Sequence, residues 1–219
     1  YTQNLVKGAP IHVTKKHVAD GYAQAIVVNS GNANTCNADG EQIAEGMCAL
    51  VSQYTKIAAQ DVIVASTGVI GQPLSLDPIA EGMPALVQGL SGNGSEFAAQ
   101  GIMTTDTVSK EIAYSFMLDG KETMLVFVTT DAAISSAMLQ KALSADVKDS
   151  FNMVSVDGDT STNDMVSVLA NGLAGNTCIT ESGKDFTAFR KALNKVTTYL
   201  CRKIAKDGEG ATKLLECKV

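Results

Sequence analysis

Two patterns of apolar residues occur along the chain: short continuous runs, and residues spaced at helical intervals. The runs are bounded by Gly, Asn and Asp, a pattern that is typical of buried strands with turns at their ends. They predict strands within 22–30, 61–71, 111–118, 124–128 and 153–156. The dipeptide Asp119-Gly120, between the third and fourth runs, predicts a tight hairpin turn.

Helical spacing of apolar residues predicts the other elements. A first helix carries Ile43, Met47, Leu50, Val51 and Tyr54. Further helices are predicted within 74–94, at 136–147, from about Asn163 and in a long segment that ends at Asp207-Gly208. That long helix carries Phe186, Phe189, Leu193, Val196, Leu200 and Ile204. Strands come in neighbouring groups with helices between the groups, so the pattern favours a layered α+β fold over a strictly alternating parallel one.

Composition and charge narrow the class of protein. The chain has 219 residues, of which 45% are hydrophobic and 18% charged, enough apolar material for one or two globular domains. Its net charge is −6, and its Lys and Arg residues are scattered. These features argue against nucleic acid or an anionic membrane as a partner and favour a small polar metabolite. No run approaches the roughly 20 apolar residues of a membrane span, and the first residues lack a signal-peptide pattern.

Cysteine and histidine content argues against a zinc site. The chain has five cysteines without a C-x-x-C pair: Cys36, Cys48, Cys178, Cys201 and Cys217. An odd number of thiols in an acidic chain suits the reducing cytoplasm, where we expect the protein to act. The two histidines, His12 and His17, lie far in sequence from every candidate nucleophile, so we expect structural roles for both.

Two polar loops resemble known ligand motifs without matching them. Val156–Asp164 begins like a calcium loop, but Thr162 occupies the position of the required glycine and Val168 that of the bidentate acid. We expect this loop to turn the chain and to cap the helix after it. Asp207–Lys213 is not a phosphate loop, but it places Glu209 between two glycines. Such a carboxylate either faces a ligand or is exposed after a helix end.

Thr123 opens the apolar run T-M-L-V-F-V. The local pattern permits an ordinary strand-edge threonine or a nucleophile. A nucleophile here would need a base other than imidazole.

Six segments stand in order along nearly the whole chain: V-V-N-S-G-N-A-N, V-A-S-T-G-V-I-G-Q-P-L, I-M-T-T-D-T-V-S-K, T-M-L-V-F-V-T-T-D-A-A-I-S, V-D-G-D-T-S-T-N-D and K-D-G-E-G-A-T-K. Together they resemble the ornithine acetyltransferases of arginine biosynthesis, also called glutamate N-acetyltransferases. The resemblance implies the layered helix–sheet–sheet–helix fold of self-cleaving N-terminal-nucleophile acetyltransferases.

In that family a precursor cuts its own backbone before the threonine of T-M-L-x-F. The resemblance therefore implies cleavage between Glu122 and Thr123, giving an α-chain portion, 1–122, and a β-chain portion, 123–219, in an α2β2 assembly. Thr123 would be the nucleophile through Oγ1 and the general base through its new amine. An N-terminal amine has a pKa of roughly 7.7–8.0, whereas lysine, at about 10.4, stays charged at neutral pH.

The same resemblance assigns the remaining roles. Thr67 and Gly68 would form the oxyanion hole. The implied substrate contacts are Thr104, Thr105, Thr107 and Glu209, the last of which would bind an amino group. The reaction would be ping-pong, with an acetyl group passing from N-acetylornithine to Thr123 and then to glutamate. It would require no metal or organic cofactor, and acetyl-CoA would be a second donor only in bifunctional members.

The sequence departs from the family just before the nucleophile. Family members have a Lys-Gly-Ser-Gly segment and then an alanine, whereas here D-G-K-E runs directly into T-M-L. Either the protein has lost this segment and with it a substrate-binding lysine, or the segment exists and the 219-residue sequence omits it. We expect the second, because the flanking motifs match well. Family members also continue past the counterpart of Val219, into a region with further substrate contacts.

Two other functions stay open. A self-cleaved N-terminal-nucleophile aminopeptidase or amidase would pass its acyl group to water instead of glutamate. A non-catalytic metabolite-binding relative would account for the missing segment.

Overall fold

A computed structural model describes residues 1–126 and 128–217, although not the side chains of residues 125 and 126. The described chain forms two compact units, the first comprising Tyr1–Thr104 and Thr160–Val166. The second comprises Thr105–Asp159 and the described residues from Ser167 onward. Both units contain helices and strands, which confirms the α+β class. The predicted division at Thr123 concerns covalent fragments and stays a prediction.

The first unit is built on two parallel strands, β1 (Ala25–Asn29) and β2 (Val62–Ser66). Their register runs from Ala25 opposite Val62 to Asn29 opposite Ser66. Four helices complete the unit: α1 (Ala9–His17), α2 (Gly40–Thr55), α3 (Asp77–Gln88) and α4 (Ser95–Gly101). Both faces of β2 are covered, because three successive residues from Val62 are at most 3% exposed.

The core of the first unit confirms most of the stripe predicted on α2. Met47 and Val51 are buried against β1 and β2, together with Ala44 and Cys48. Tyr54 is 40% exposed, because α2 ends at the next residue.

His17 contributes to the same core. Its Nδ1 lies 2.9 Å from the Val62 carbonyl oxygen, and its Nε2 lies 3.1 Å from Glu45 Oε2. This buried histidine has the structural role that the sequence predicted.

The second unit contains a four-stranded sheet in the order β3 (Ala113–Leu118), β4 (Lys121–Val126), β5 (Thr129–Thr130) and β6 (Leu169–Ala170). The first two pairs are antiparallel and the last is parallel. Two helices, α5 (Ser136–Asp146) and α6 (Lys184–Lys206), belong to the unit. The predicted apolar residues Phe186, Phe189, Leu193 and Val196 of α6 are buried with Leu118.

A two-residue turn joins β3 to β4, as the Asp119-Gly120 pair predicted. Both residues have left-handed backbone conformations, with φ of 48° and 71°. This is the geometry of a type I′ hairpin, whose twist suits antiparallel strands. Because β4 begins at Lys121, Thr123 is the third residue of the strand and not its first.

Two predicted elements are wrong. Residues 153–156 form no described strand, and Phe151–Met153 is instead a short 3-10 helix. No described helix begins near Asn163, so the polar loop before it caps none. The side chain of Asn163 is used in hydrogen bonds to distant backbone, and the β-branched residues after it lead into β6.

No described helix has the length and apolar character that crossing a bilayer requires.

Candidate active site

Thr123 lies in the interior of the β3–β4 hairpin, opposite Phe116. Its side chain is completely buried, and its Oγ1 lies 3.5 Å from the Lys121 carbonyl oxygen, a long contact. The next amide, that of Met124, donates to Asp131 Oδ1 at 2.7 Å, which fixes the strand beside Thr123. The nitrogen of Thr123 is a peptide amide in the uncut chain, so it could act as a base only if the bond to Glu122 were broken.

The Thr67-Gly68 turn directly follows β2 and requires glycine. Gly68 has φ of +114°, which L side chains rarely adopt. A Cβ on Gly68 would lie 2.3 Å from the Gly31 carbonyl oxygen and 2.7 Å from its carbon. The backbone of the Gly31 loop and the Gly68 turn therefore approach more closely than any side chain at residue 68 would allow.

The hydrogen bonds of this turn determine which donors remain for an oxyanion. The Thr67 amide donates to the Asn29 carbonyl at 2.9 Å. The amide of Gly68 and the hydroxyl of Thr67 have no hydrogen-bond partner within 1–126 and 128–217. These two groups are the donors that the turn can offer to a developing negative charge.

An acidic residue holds part of the predicted substrate-binding segment in the second unit. Asp207, which directly follows α6, accepts from the Thr107 amide at 3.0 Å and from the Thr107 hydroxyl. The ammonium of Lys110 donates to Asp207 at 2.6 Å and also to Asp106. The segment from Asp106 to Lys110 is therefore fixed to the end of α6.

Hydrogen bonds and opposite charges in this cluster shift two pKa values. The hydrogen bonds from Lys110 and Thr107 hold the pKa of Asp207 well below its usual range. Burial of Lys110 lowers its pKa, but hydrogen bonds and attraction from Asp106 and Asp207 outweigh burial and raise it. Both groups are therefore charged at neutral pH.

The four predicted substrate contacts differ in their exposure and hydrogen bonding. Thr104 ends the first unit and Thr105 begins the second, and both are exposed. Thr107 donates its hydroxyl proton to Asp207, so only its oxygen lone pairs are left for a substrate.

Glu209 lies on a glycine-flanked turn, as the sequence predicted. It is exposed two residues after Asp207, and Gly210 has φ of 72°. A Cβ on Gly208 would lie 2.7 Å from Val156 Cγ1, so a side chain here would require the exposed Val156 side chain to move. Asp207 therefore connects the Thr107 segment and the Glu209 turn.

Sequence reasoning missed Lys110 and Asp207, although each belongs to a quoted segment. Lys110 ends I-M-T-T-D-T-V-S-K, and Asp207 stands second in K-D-G-E-G-A-T-K. The available signal was their position: Lys110 follows the predicted contacts Thr104, Thr105 and Thr107 in one segment, and Asp207 precedes Glu209 in another.

A cavity of about 460 Å³ lies in the first unit. Its lining includes Lys7, His12, Cys36, Asp39 and Glu41, and none of the predicted site residues. In the described part of the chain, His, Cys, Asp and Glu side chains form no group of three able to hold a metal ion.

Comparison with known families decides to which one these residues belong. A model of the ArgJ family matches residues 1–122 and 117–219. The chain belongs to the ArgJ family. The family inferred from the six segments is thereby confirmed.

Curated proteins similar to this chain also carry the name ArgJ. The chain is 46% identical over 238 positions to arginine biosynthesis bifunctional protein ArgJ 1 of Clostridium acetobutylicum, and the match covers all of this chain and 58% of that protein. Identity to the ArgJ protein of Symbiobacterium thermophilum is also 46%, with 59% of that protein covered. The chain thus spans slightly under three fifths of the length of these curated relatives.

A solved ArgJ structure is also similar. The crystal structure of the arginine biosynthesis bifunctional protein argJ of Bacillus halodurans is 36% identical, with a TM-score of 0.53. The match covers 57% of this chain and 67% of the solved chain.

The alignments show that the relatives have additional residues within the matched region. The match to the Clostridium protein has 238 positions against 219 residues, a difference of 19. The two family matches overlap at residues 117–122, directly before Thr123. The first match therefore ends directly before Thr123, where the resemblance implies an additional Lys-Gly-Ser-Gly segment.

Proposed function

We propose that the protein transfers an acetyl group from N-acetylornithine to glutamate through an acetyl-Thr123 intermediate, as a step of arginine biosynthesis. One observation carries the proposal: the family matches the chain on both sides of Thr123. The names of the relatives support the pathway.

Thr123 is the proposed nucleophile and base. After cleavage, its neutral α-amine takes the Oγ1 proton while Oγ1 attacks the acetyl carbonyl carbon. The tetrahedral intermediate then breaks its carbon–nitrogen bond, and the proton held by the α-amine passes to the leaving nitrogen of ornithine. In the second half-reaction the neutral amine of glutamate attacks the acetyl ester, and the α-amine of Thr123 takes a proton from the attacking nitrogen. That proton passes to Oγ1 as the ester bond breaks.

The Thr67-Gly68 turn is the proposed oxyanion hole. Its Gly68 amide and Thr67 hydroxyl would donate to the carbonyl oxygen as negative charge develops on it. A rigid turn suits this role, because donors that are already oriented need not reorganise during the reaction. The close approach of Gly68 to Gly31 supplies that rigidity.

Substrate binding is proposed at Thr104, Thr105, Thr107 and Glu209. The Glu209 carboxylate would accept a hydrogen bond from the α-nitrogen of the bound amino acid, which N-acetylornithine carries as an amide N–H and glutamate as an amine, so one site could serve both half-reactions. The Asp207 side chain would keep Thr107 and the Glu209 turn in place. No cofactor is required in this scheme, and acetyl-CoA would be a second acetyl donor only if the protein is bifunctional, as the names of the relatives say of those proteins.

Assembly and location are part of the same proposal. The two fragments made at Thr123 would stay together in an α2β2 assembly with the helix–sheet–sheet–helix layering inferred from the sequence. The cytoplasm is the proposed location, since its reducing conditions suit five unpaired thiols.

Intact mass measurement tests the proposal on protein expressed from the complete gene. Two fragments, one with the N-terminal sequence T-M-L-V-F, together with acetyl transfer from N-acetylornithine to glutamate, are expected. Acetate release without glutamate that is faster than transfer would instead identify an aminopeptidase-like or amidase-like hydrolase.

A non-catalytic relative is the second candidate, and the closed hairpin favours it. Glu122 pairs with Met117 and Thr123 with Phe116, so the bond to be cut lies within a continuous ladder. Recovery of one uncut chain from the complete gene, without acetyl transfer, would support this candidate and contradict the first.

A further inference from the structure

The side chain of Asn163 joins two loops of the first unit far from it in sequence. Its Nδ2 donates to the Ala33 carbonyl at 2.6 Å and to the Ser66 carbonyl at 2.9 Å. Its Oδ1 accepts from the Thr35 hydroxyl at 2.6 Å and from the Thr162 hydroxyl at 2.7 Å. All four hydrogen-bonding positions of the carboxamide are therefore used.

The partners of Asn163 lie at one end of the β1–β2 pair. Ser66 is the last residue of β2 and directly precedes the Thr67-Gly68 turn. Ala33 and Thr35 lie in the loop after β1, and their exposed fractions are 3% and 1%. A carboxamide that bonds to such deeply buried groups is held in a single orientation.

Backbone hydrogen bonds connect the same loop to the turn. The Ala33 amide donates to the Val69 carbonyl at 2.8 Å, and the Gly71 amide donates to the Thr35 carbonyl at 3.1 Å. Asn163 therefore holds both sides of this arrangement, since it bonds to the loop at Ala33 and Thr35 and to β2 at Ser66. A shift of Ser66 would move the donors of the turn, because they follow it directly in the chain.

Close packing supports a fixed position for Asn163. A Cβ on Gly8 would lie 2.7 Å from both Asn163 Nδ2 and Thr35 Oγ1. The Gly8 amide also donates to the Thr162 carbonyl at 3.0 Å. The N-terminal segment thus covers the carboxamide and restricts its movement.

We propose that Asn163 is a positioning residue for the oxyanion turn, acting on Gly68 and Thr67 through the Ser66 carbonyl and the Ala33 loop. This inference rests on the proposed acetyl transfer for its kinetic consequence, whereas its structural consequence is independent of it. Asn163 touches no reacting atom. Its effect should therefore fall on stabilisation of the transition state and not on substrate affinity.

The main test is Asn163→Asp in protein expressed from the complete gene. This change keeps the size of the side chain, removes both donors and places a carboxylate against two carbonyl oxygens. Because a misplaced oxyanion donor loses much of its effect, we expect kcat to fall about tenfold to a hundredfold while KM changes by less than about twofold. Asn171→Asp is the matched control. Within the described residues the side chain of Asn171 makes one hydrogen bond, in which Oδ1 accepts from the Leu173 amide at 3.0 Å, and an aspartate keeps this bond.

Amide hydrogen exchange provides a readout besides activity. The Thr67 amide donates to the Asn29 carbonyl, so loosening of the turn should speed its exchange about tenfold in Asn163→Asp and leave it unchanged in Asn171→Asp. If the wild-type protein shows no acetyl transfer, the proposed function fails, and this exchange comparison still judges the role of Asn163.

A second pair of variants applies if Asn163→Asp does not fold. Thr35→Val removes the hydroxyl that orients Asn163 and keeps the shape of the side chain, and we expect kcat to fall several-fold with KM retained. Thr35→Ser restores the hydroxyl and should restore kcat. Unchanged kcat in a folded Asn163→Asp protein, unchanged Thr67 exchange, or no difference between the two Thr35 variants would overturn the inference.

Discussion

The ammonium of Lys110 lies 2.6 Å from the carboxylate of Asp207, nearly one hundred residues further along the chain. This contact fixes the Thr107 segment to the end of α6, and the Glu209 turn begins at the next residue. Because this contact needs a charged Asp207, we expect it to make the stability of the second unit depend on pH.

We expect Asp207→Asn to remove part of the loss of stability that acid causes. The folded-state pKa of Asp207 is lowered by Lys110 and Thr107, whereas its unfolded value is about 3.9. Its stabilising effect is thus complete above the unfolded pKa and disappears as the pH falls toward the folded one. Urea unfolding at several pH values should show a steeper fall below about pH 5 in wild type than in Asp207→Asn. Asp149→Asn, at an exposed site, is the control, and equal slopes for all three proteins would contradict the prediction.

Gly68→Ala should destabilise the protein and impair catalysis. The new methyl group would lie 2.3 Å from the Gly31 carbonyl oxygen, and φ of +114° adds backbone strain of roughly 1–3 kcal/mol. A lower thermal midpoint and a kcat reduced by about a hundredfold are expected. Gly92→Ala is the control, since its Cβ would meet nothing within 4 Å. A Gly68→Ala protein with wild-type midpoint and kcat would show that the turn needs no glycine.

Thr123→Ala should abolish both self-cleavage and acetyl transfer while the protein still folds. The variant lacks the attacking oxygen, so residual transfer below about a thousandth of wild type is expected. Thr123→Ser keeps the hydroxyl and loses one buried methyl group, which costs about 1 kcal/mol of stability. Intact mass and transfer assays on the three proteins provide the measurement, and substantial transfer by Thr123→Ala would refute the nucleophile assignment.

Glu209→Gln should weaken binding of the amino-acid substrates. The change keeps the size of the side chain and removes the charge that would face the α-amino group, so KM for glutamate should rise about tenfold or more. We expect kcat to change less than KM. Glu181→Gln, another exposed position of the second unit, should leave KM unchanged. An unchanged KM in Glu209→Gln would exclude direct substrate binding by this carboxylate.

Alkylation of the native protein should distinguish two groups of cysteines. Cys36, Cys178 and Cys217 are exposed, whereas Cys48 and Cys201 are buried. Burial raises the pKa of Cys48 to about 12 and that of Cys201 to about 11, so neither forms the reactive thiolate at neutral pH. Iodoacetamide followed by peptide mapping should therefore modify three cysteines in folded protein and all five in urea. Modification of Cys48 before unfolding would contradict this burial.

The local sequence pattern was sufficient to predict the long helix α6 and the Asp119-Gly120 turn. The stripe of α6 is repeated over many residues, so its buried face could be predicted. The Asp119-Gly120 turn was predictable because few residue pairs adopt two successive left-handed conformations. The segment 153–156 was too short for its pattern to separate strand from other structure, and that prediction was wrong.

The sequence by itself determined the family, the α+β class, and the glycines around the candidate site. Each depends on residue order or on local backbone geometry, both of which are written in the chain. Only the tertiary structure decided which groups Asn163 and Asp207 contact. Asn163 bonds to Ala33, 130 residues away in sequence, and Asp207 bonds to Thr107, 100 residues away. Such partners are brought together by folding of the whole unit, and no periodicity or spacing in the sequence encodes a contact of that range.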